Sequence, residues 1–433
     1  MNYNFIADYY QSKKEHIINF SSFFANRLIS LALFAYTTSV FINRAGGKEF
    51  GLLTMLLLIF SYIAVADLGM GYAVGYRLTR AVSRRNFVYA SKILQHALPF
   101  YIIVGGCASL LIFVFSSDIS VLFTQTEGYS FIYKVISLGI LPLVIDTVVL
   151  MVMQSYNKVY LINLSRLIYD IFRAAPLLLA VVVKNDLLEK IMMIVVAGCY
   201  IKLMTDIYLC YKLIGNLTWL KPVLVFKELR FNITYGIPML LTLIIGMIIT
   251  SIDKFYITNL LSMEQLAYYS VALEVNVKAW FLIWAVTGSL TTVLIRRNVS
   301  NISTHDIEKL SMVSVVVIFV LYYMPLIVFA KEILALWINR DFAEKSYRVT
   351  RILSVASLFY MLYAVKHNIL QAEGRFLTIA GIYCAGLTVL LISLWVLPKY
   401  FGAEGVAYSY VITYAAFVGS SILIMKKSNQ TND

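Results

Sequence analysis

The residues of this sequence that could do chemistry are charged side chains lying inside long apolar runs. Arg27 sits near the middle of the first such run, Glu274 and Lys278 are spaced i, i+4 in another, and Arg166, Asp170 and Arg173 fall at i, i+4, i+7 in a third. If those runs cross a membrane, each charge costs on the order of 2.5–3.5 kcal/mol to insert and needs a reason to be there. Arg27, Lys278, Arg166 and Arg173 are the groups that would bind a phosphate-bearing ligand: arginine offers a bidentate fork and lysine a point charge. Glu274, Asp170, Asp253 and Asp67 are candidates for coupling or gating, through protonation or exchange of partner. Each has a structural alternative. Arg27 could pair with an acid on a neighbouring helix, and Glu274–Lys278 could be a self-neutralising pair along one helix face. Arg166, Asp170 and Arg173 could line a cavity, or could lock their helix to Lys202 and Asp206 of the next.

Asp67, beside Gly69 and Gly71, reads as a turn cap or a partner for a basic loop, and Asp253-Lys254 as a pair or gate near the outer face. Asp146, Lys366 and His367 are weaker candidates. Prolines at 99, 142, 176, 238 and 325 fall within apolar runs, where each removes a backbone hydrogen bond and bends its helix. Gly236 and Pro238, opening the first run of the second half, are the candidate hinge. Tyr268, Tyr269 and Trp280 could stack on sugar faces or serve only as an aromatic belt. Cys107, Cys199, Cys210 and Cys384 form no CxxC pair and have no His cluster beside them, so no metal site or disulfide framework is expected. With 4 His, no GxxxxGK[ST] loop and no large connecting segment, an enzyme and a nucleotide-binding fold are both disfavoured.

The elements that must position these groups follow from composition. Of 433 residues 61% are hydrophobic and 14% charged, against about 25% charged in a soluble protein. Only a lipid-facing surface accommodates that deficit. A span needs about 20 apolar residues, and about twelve candidates appear. They lie near 17–42, 49–75, 88–116, 130–155, 158–183 and 190–214, then near 232–257, 265–295, 309–331, 347–371, 375–397 and 404–425. The expected fold is therefore all-α and integral to the membrane, with halves at 1–214 and 232–433 joined by a cytoplasmic linker, 215–231. FINRAGGKEFGLLT at 41–54 and YITNLLSMEQLAYYS at 256–270 read as matching hairpins half a chain apart, the spacing of a transporter built from two repeats.

The net charge of +13 would suggest nucleic acid in a soluble domain, but no basic domain stands apart from the spans. The basic residues gather instead in short loops: Arg77, Arg80, Arg84 and Arg85; Lys212, Lys221, Lys227 and Arg230; Arg296, Arg297 and Lys309; Lys426 and Lys427. Placing both termini in the cytoplasm puts about seventeen Lys and Arg inside and about eight outside.

Three stretches carry a resemblance. KEFGLLTMLLLIFSYIAVADLGMGYAVGYRLTRA (48–81) ends in an acidic-Leu-Gly turn. ITYGIPMLLTLIIGMIITSIDKFYITNLLSMEQLAYYSVALEV (233–275) runs from Gly-x-Pro through Asp-basic-aromatic to Tyr-Ser, and ISLWVLPKYFGAEGVAYSYVITY (392–414) holds a Pro-Lys-Tyr turn followed by small residues. With the span count, these make the chain resemble the polysaccharide transporter family of bacterial flippases. Those are the Wzx-type translocases of O-antigen and capsule units, within the multidrug/oligosaccharidyl-lipid/polysaccharide exporter superfamily. The resemblance implies two six-helix bundles across a central cavity, an undecaprenyl-pyrophosphate-linked oligosaccharide as substrate, and the bacterial inner membrane. It implies no cofactor beyond coupling to a proton or sodium gradient. Expected partners are the lipid-linked oligosaccharide, membrane lipids, and a polysaccharide polymerase with its chain-length proteins. The alternatives are a multidrug cation exporter of the same superfamily, whose cavity should be acidic or aromatic, and a flippase for a lipid-linked peptidoglycan precursor.

Overall fold

The structure, a computed structural model, describes residues 3–62, 70–183, 185–283, 305–373 and 375–430, and every regular element among them is helical. Asp67 lies outside the described residues, as do Arg296 and Arg297. Helices α1 (Tyr3–Ala45), α2 (Gly47–Ser61), α3 (Met70–Ser83), α4 (Phe87–Val114), α5 (Ser116–Thr124), α6 (Ser130–Ser155), α7 (Val159–Ala174) and α8 (Leu187–Ile214) make up the first half. They are followed by α9 (Phe226–Ile249), α10 (Ile252–Leu260), α11 (Met263–Lys278), α12 (His305–Ile318), α13 (Met324–Val328), α14 (Ala330–Trp337), α15 (Arg340–Ala372) and α16 (Phe376–Gln430). Each expected apolar run lies on helical backbone or starts on it. Among the described residues, 7 helical stretches meet a strict length-and-hydropathy criterion for a span. The charged α7 and α8 are not among them, and α2 and α11 run into residues outside the description.

Helix ends follow from local chemistry. Asn86, Ser262 and Asn339 cap α4, α11 and α15 by accepting the backbone N–H of Tyr89, Gln265 and Phe342, so a polar side chain replaces a missing intrahelical acceptor. Gly215 ends α8 at φ +81° and returns its N–H to Tyr211 O at 2.8 Å. In α16 the break is Gly402, at φ +53°, which splits the stretch into two helices where the sequence shows the PKYFG turn. Pro99 and Pro142 sit inside α4 and α6, whereas Pro176 opens a 3₁₀ turn (Ala175–Val181) that ends α7. Pro325 opens α13 directly after a π-helical stretch, Phe319–Tyr323. α9 runs unbroken through Gly236 and Pro238.

The chain divides into two compact units. One comprises Met1–Arg44 and Leu56–Leu240, the other Ala45–Met55 and Leu241–Asp433. In the first, α6 is the central helix and packs on α3, α4, α5, α7 and α8. It buries Ile136, Ile140, Val148, Val149 and Val152, and α8 buries Ile191, Met192 and Val195. The segment after α8 is tied to the same unit: Val223 N–H donates to Gln95 O at 2.9 Å, and Arg77 pairs with Glu228 at 2.7 Å. In the second unit α15 is central, packing on α11, α12, α13, α14 and α16. Its core joins Met361, Ala364, Val365 and Ile369 to Ala279, Ile283, Val315, Tyr323 and Leu326. Large apolar side chains such as Leu110, Val114, Leu391, Ile392 and Trp395 face outward, a surface that lipid tails cover and water would not.

One close approach bears on the charged residues below. A Cβ on Gly198 of α8 would lie 2.4 Å from Cβ of Phe172 on α7, so only glycine lets these helices approach this closely. Gly198→Leu is expected to cost about 1–3 kcal/mol by overpacking. The check is thermal unfolding of the purified protein, where a variant as stable as wild type would contradict the contact.

Candidate functional site

In the first unit, α1 and α7 are joined by a ladder of short polar side chains at helical spacing. Asn19 Nδ2 donates to Asn157 O at 2.9 Å and Asn19 Oδ1 accepts from Tyr160 N at 2.9 Å. Asn163 Nδ2 donates to Ser22 Oγ at 2.9 Å, and Asn26 Nδ2 donates to Asn163 O at 2.7 Å. Ser30 Oγ then donates to Asp170 Oδ2. On α1 these positions are 19, 22, 26 and 30, one stripe of an α-helix. Polar side chains that satisfy one another across an interface are a common way to hold helices together in lipid.

The ladder sets the place of the cations. Arg27, next to Asn26, is exposed on the unit's surface, with its guanidinium 5.4 Å from the Phe23 ring centroid. Arg166, also exposed, lies within electrostatic reach of Arg27, Asp170, Asp146 and Asp206. The structure thus brings Arg27, Arg166 and Asp170 together. Arg173 is exposed two turns beyond Arg166 on α7, and its charge acts on Tyr169. Two like charges sharing a field make the place attractive to an anion.

Behind this seam Asp146 joins two residues that the structural alternative already names, Lys202 and Asp206. Lys202 of α8 donates to Asp146 Oδ2 of α6 and, at 2.8 Å, to Asp206 Oδ2 one turn along its own helix. Ser165 of α7 donates to the same Asp206 oxygen at 2.7 Å. Lys202 is 5% exposed, Asp146 3% and Asp206 0%. The network crosses three helices. The signal for it was in the sequence: Lys202 and Asp206 at i, i+4, with a lone acid, Asp146, in a nearby run. The structural alternative for Arg166, Asp170 and Arg173 named these α8 residues; Ser165 makes the hydrogen bond to Asp206, and Arg166 feels its charge.

In the second unit Glu274 and Lys278 form their i, i+4 pair at 3.4 Å on α11 and are half exposed, at 41% and 34%. Between them, Asn276 points the opposite way, into the unit. Its amide donates to Ala272 O and Thr350 O, its Oδ1 accepts from Ser354 Oγ at 2.8 Å, and Tyr323 OH donates to its backbone carbonyl. One face of α11 is therefore fixed to α15, which leaves the charged pair on the other face. At the end of α11, Trp280 stacks on Tyr360 with centroids 3.7 Å apart and donates to Ser357 Oγ at 3.2 Å.

Asp253 is 1% exposed, and its Oδ1 accepts from Lys254 N–H at 2.9 Å, with Lys254 Nζ 3.6 Å away. Tyr269 of α11 and Tyr410 of α16, both buried, face its charge. The acid read at the outer face is thus enclosed among aromatics within its unit. Tyr268, by contrast, is hydrogen-bonded to Glu264 and, at 3.0 Å, to Lys345. Lys366 pairs with Glu308 of α12. Gly236 and Pro238 lie on α9 without described side chains. Cys199 and Cys210 are buried, while Cys107 and Cys384 are exposed on apolar helices. Among the described residues no group of His, Cys, Asp and Glu could hold a metal ion.

No family model matches the chain. A protein of Shigella flexneri with the name "Putative O-antigen transporter" is 21% identical over 400 residues, spanning 88% of this chain and 90% of that protein. Among solved structures, an inward-facing multidrug resistance MATE family transporter of the MOP superfamily superposes with TM-score 0.77 at 13% identity, covering 92% of this chain and 95% of that one. The lipid II flippase MurJ in an inward closed conformation gives 0.75 at 14% identity, over 95% of this chain and 87% of that one. A MOP superfamily transporter from Pyrococcus furiosus, described as having a binding pocket of reverse polarity, gives 0.69 at 12%, covering 96% of each chain. The chain is thus a multi-pass, all-α membrane protein with the fold of the MOP superfamily transporters, and the resemblance to their polysaccharide-transporter branch stands.

Proposed function

We propose that this protein is a flippase that carries an undecaprenyl-pyrophosphate-linked oligosaccharide unit from the cytoplasmic to the outer leaflet of a bacterial inner membrane, by alternating access, for surface polysaccharide synthesis. The observation that carries the reading is the pair Arg27 and Arg166, exposed on α1 and α7 and within electrostatic reach of each other. A diphosphate headgroup brings the negative charge such a pair lacks. The exposed Arg173 on α7 extends the same preference. A carrier of organic cations would need the opposite polarity, so the multidrug reading ranks below this one. Both termini lie in the cytoplasm in this proposal, and the polysaccharide polymerase with its chain-length proteins receives the product.

The likeness to MurJ supports one second reading, a lipid-linked peptidoglycan precursor as cargo. One experiment separates the three. Deleting the gene should strand lipid-linked repeat units on the cytoplasmic leaflet, where they resist an externally added sugar-modifying reagent, and should abolish the surface polymer. Rescue of a strain depleted of its lipid II flippase would move the cargo to peptidoglycan precursor. Drug resistance without any glycan phenotype would overturn the proposal.

A further inference from the structure

Where the chain leaves α8, the first unit holds a cavity of about 490 Å³. Its walls come from the first two turns of α4, from Tyr156 at the end of α6, and from the segment that follows α8. That segment is pinned to α4. Gln95 Nε2 donates to Thr218 O, and Val223 N–H donates to Gln95 O, each at 2.9 Å. Trp219, 1% exposed, anchors the same turn and donates to Asn216 O at 3.2 Å. On the other side Phe87 stacks on Tyr156 with centroids 6.2 Å apart. The cavity is thus a built corner with the size of a small-ligand site.

Its polar wall offers donors that lack acceptors. Lys92 is exposed, and neither it nor the Ser91 hydroxyl has a hydrogen-bond or ion-pair partner among the described residues. Asn216 Oδ1 already accepts from the N–H and the hydroxyl of Thr218, which leaves the amide N–H groups to donate. The stretches that build the corner, 84–95, 154–158 and 211–224, hold Arg84, Arg85, Lys92, Lys158, Lys212 and Lys221 and no acid. Such a place attracts an anion with several acceptor oxygens. Around it the surface is apolar: Val88, Leu217 and Val223 are all exposed. They gather about the first turn of α4, whose 28 residues have the length and hydropathy of a span. The end of a span is the depth at which headgroups meet acyl chains.

We propose that this corner binds an anionic glycerophospholipid of the surrounding bilayer, with its phosphate among Ser91, Lys92 and Asn216 and its acyl chains outside, along Val88, Leu217 and Val223. The cavity accommodates a phosphate and its glycerol. The basic stretches supply the complementary charge, and the exposed apolar side chains favour a lipid over a water-soluble anion. A bound lipid ties α4, α6 and α8 to the segment after α8 and stabilises the first unit by mass action. The site lies within one unit and needs the membrane but not the cargo, so it stands apart from the flippase reading.

Thermal unfolding of the full-length protein in detergent micelles, with phosphatidylglycerol titrated in, tests the site, and native mass spectrometry of the same samples counts the lipid retained. Phosphatidylglycerol should raise the unfolding temperature and stay bound, and phosphatidylcholine at the same concentration should do neither. Lys92→Gln should need about ten times more phosphatidylglycerol for the same rise, the loss expected for one charged hydrogen bond. Lys92→Arg should titrate close to wild type. Lys92 is exposed, so neither change threatens the fold. Lys134, an exposed lysine at the opposite end of α6 from Tyr156, is the control, and Lys134→Gln should respond like wild type. An equal rise with phosphatidylcholine, an unchanged titration in Lys92→Gln, or an equal loss in Lys134→Gln would overturn the proposal. If glycerol phosphate in water protects as well as the lipid does, the corner serves a soluble anion and the lipid assignment falls.

Discussion

Replacing both guanidiniums of the α1–α7 seam, Arg27→Gln with Arg166→Gln, is expected to weaken binding of a pyrophosphate-bearing lipid about a hundredfold while the protein still reaches the membrane. A hydrogen bond to a charged group contributes about 1.5–3 kcal/mol, and a tenfold change in Kd is about 1.4 kcal/mol. Both side chains are exposed, so the low end of that range applies, giving about tenfold for each cation. The fold should survive, because the α1–α7 contact is carried by Asn19, Ser22, Asn26, Ser30 and Asn163 and not by the arginines. Binding of undecaprenyl pyrophosphate to nanodisc-embedded protein measures the effect, and surface polysaccharide should fall in parallel. A double variant with wild-type affinity would show that the seam does not receive the headgroup. Replacing Arg173 alone should change affinity less than replacing either seam arginine.

The sequence exposed the periodic features and hid the paired ones. A run of apolar residues long enough to span lipid is a one-dimensional signal, which is why the expected spans fall on helical backbone among the described residues. Gly402 marks its own turn in the same way. Which side of a helix a charge takes depends on its neighbours in space. Glu274 and Lys278 could be read as a pair from their spacing, but their exposure follows from Asn276, whose bonds to Thr350 and Ser354 fix the opposite face of α11. Asp253 reads as half of a pair or gate near the outer face because Lys254 follows it, and the two do pair. Its burial depends on Tyr410, more than a hundred residues later, and no local pattern announces that. The asparagine ladder was missed for a related reason: Asn19 and Asn26 are unremarkable polar residues until α7 is placed beside them.

Removing the ammonium of the buried centre, Lys202→Met, is expected to be the most damaging single change in the first unit. It leaves Asp146 and Asp206 enclosed without the cation hydrogen-bonded to them, and breaking a buried ion network by deleting one partner costs about 3–5 kcal/mol. Native stabilities are only about 5–15 kcal/mol, so the variant should accumulate poorly in membranes and unfold at markedly lower temperature when purified. The triple variant Lys202→Met/Asp146→Asn/Asp206→Asn should recover most of that loss, because it removes the stranded charges together with the lysine. If Lys202→Met were as stable as wild type, the ammonium would not be holding these helices together. The comparison separates stability from transport. Uncharged replacements of a buried ion network are often neutral or even stabilising, so α6, α7 and α8 could be joined without any charge at all. A triple variant that folds normally and yet fails to move lipid-linked cargo would therefore place the function of Asp146, Lys202 and Asp206 in the transport cycle and not in the scaffold.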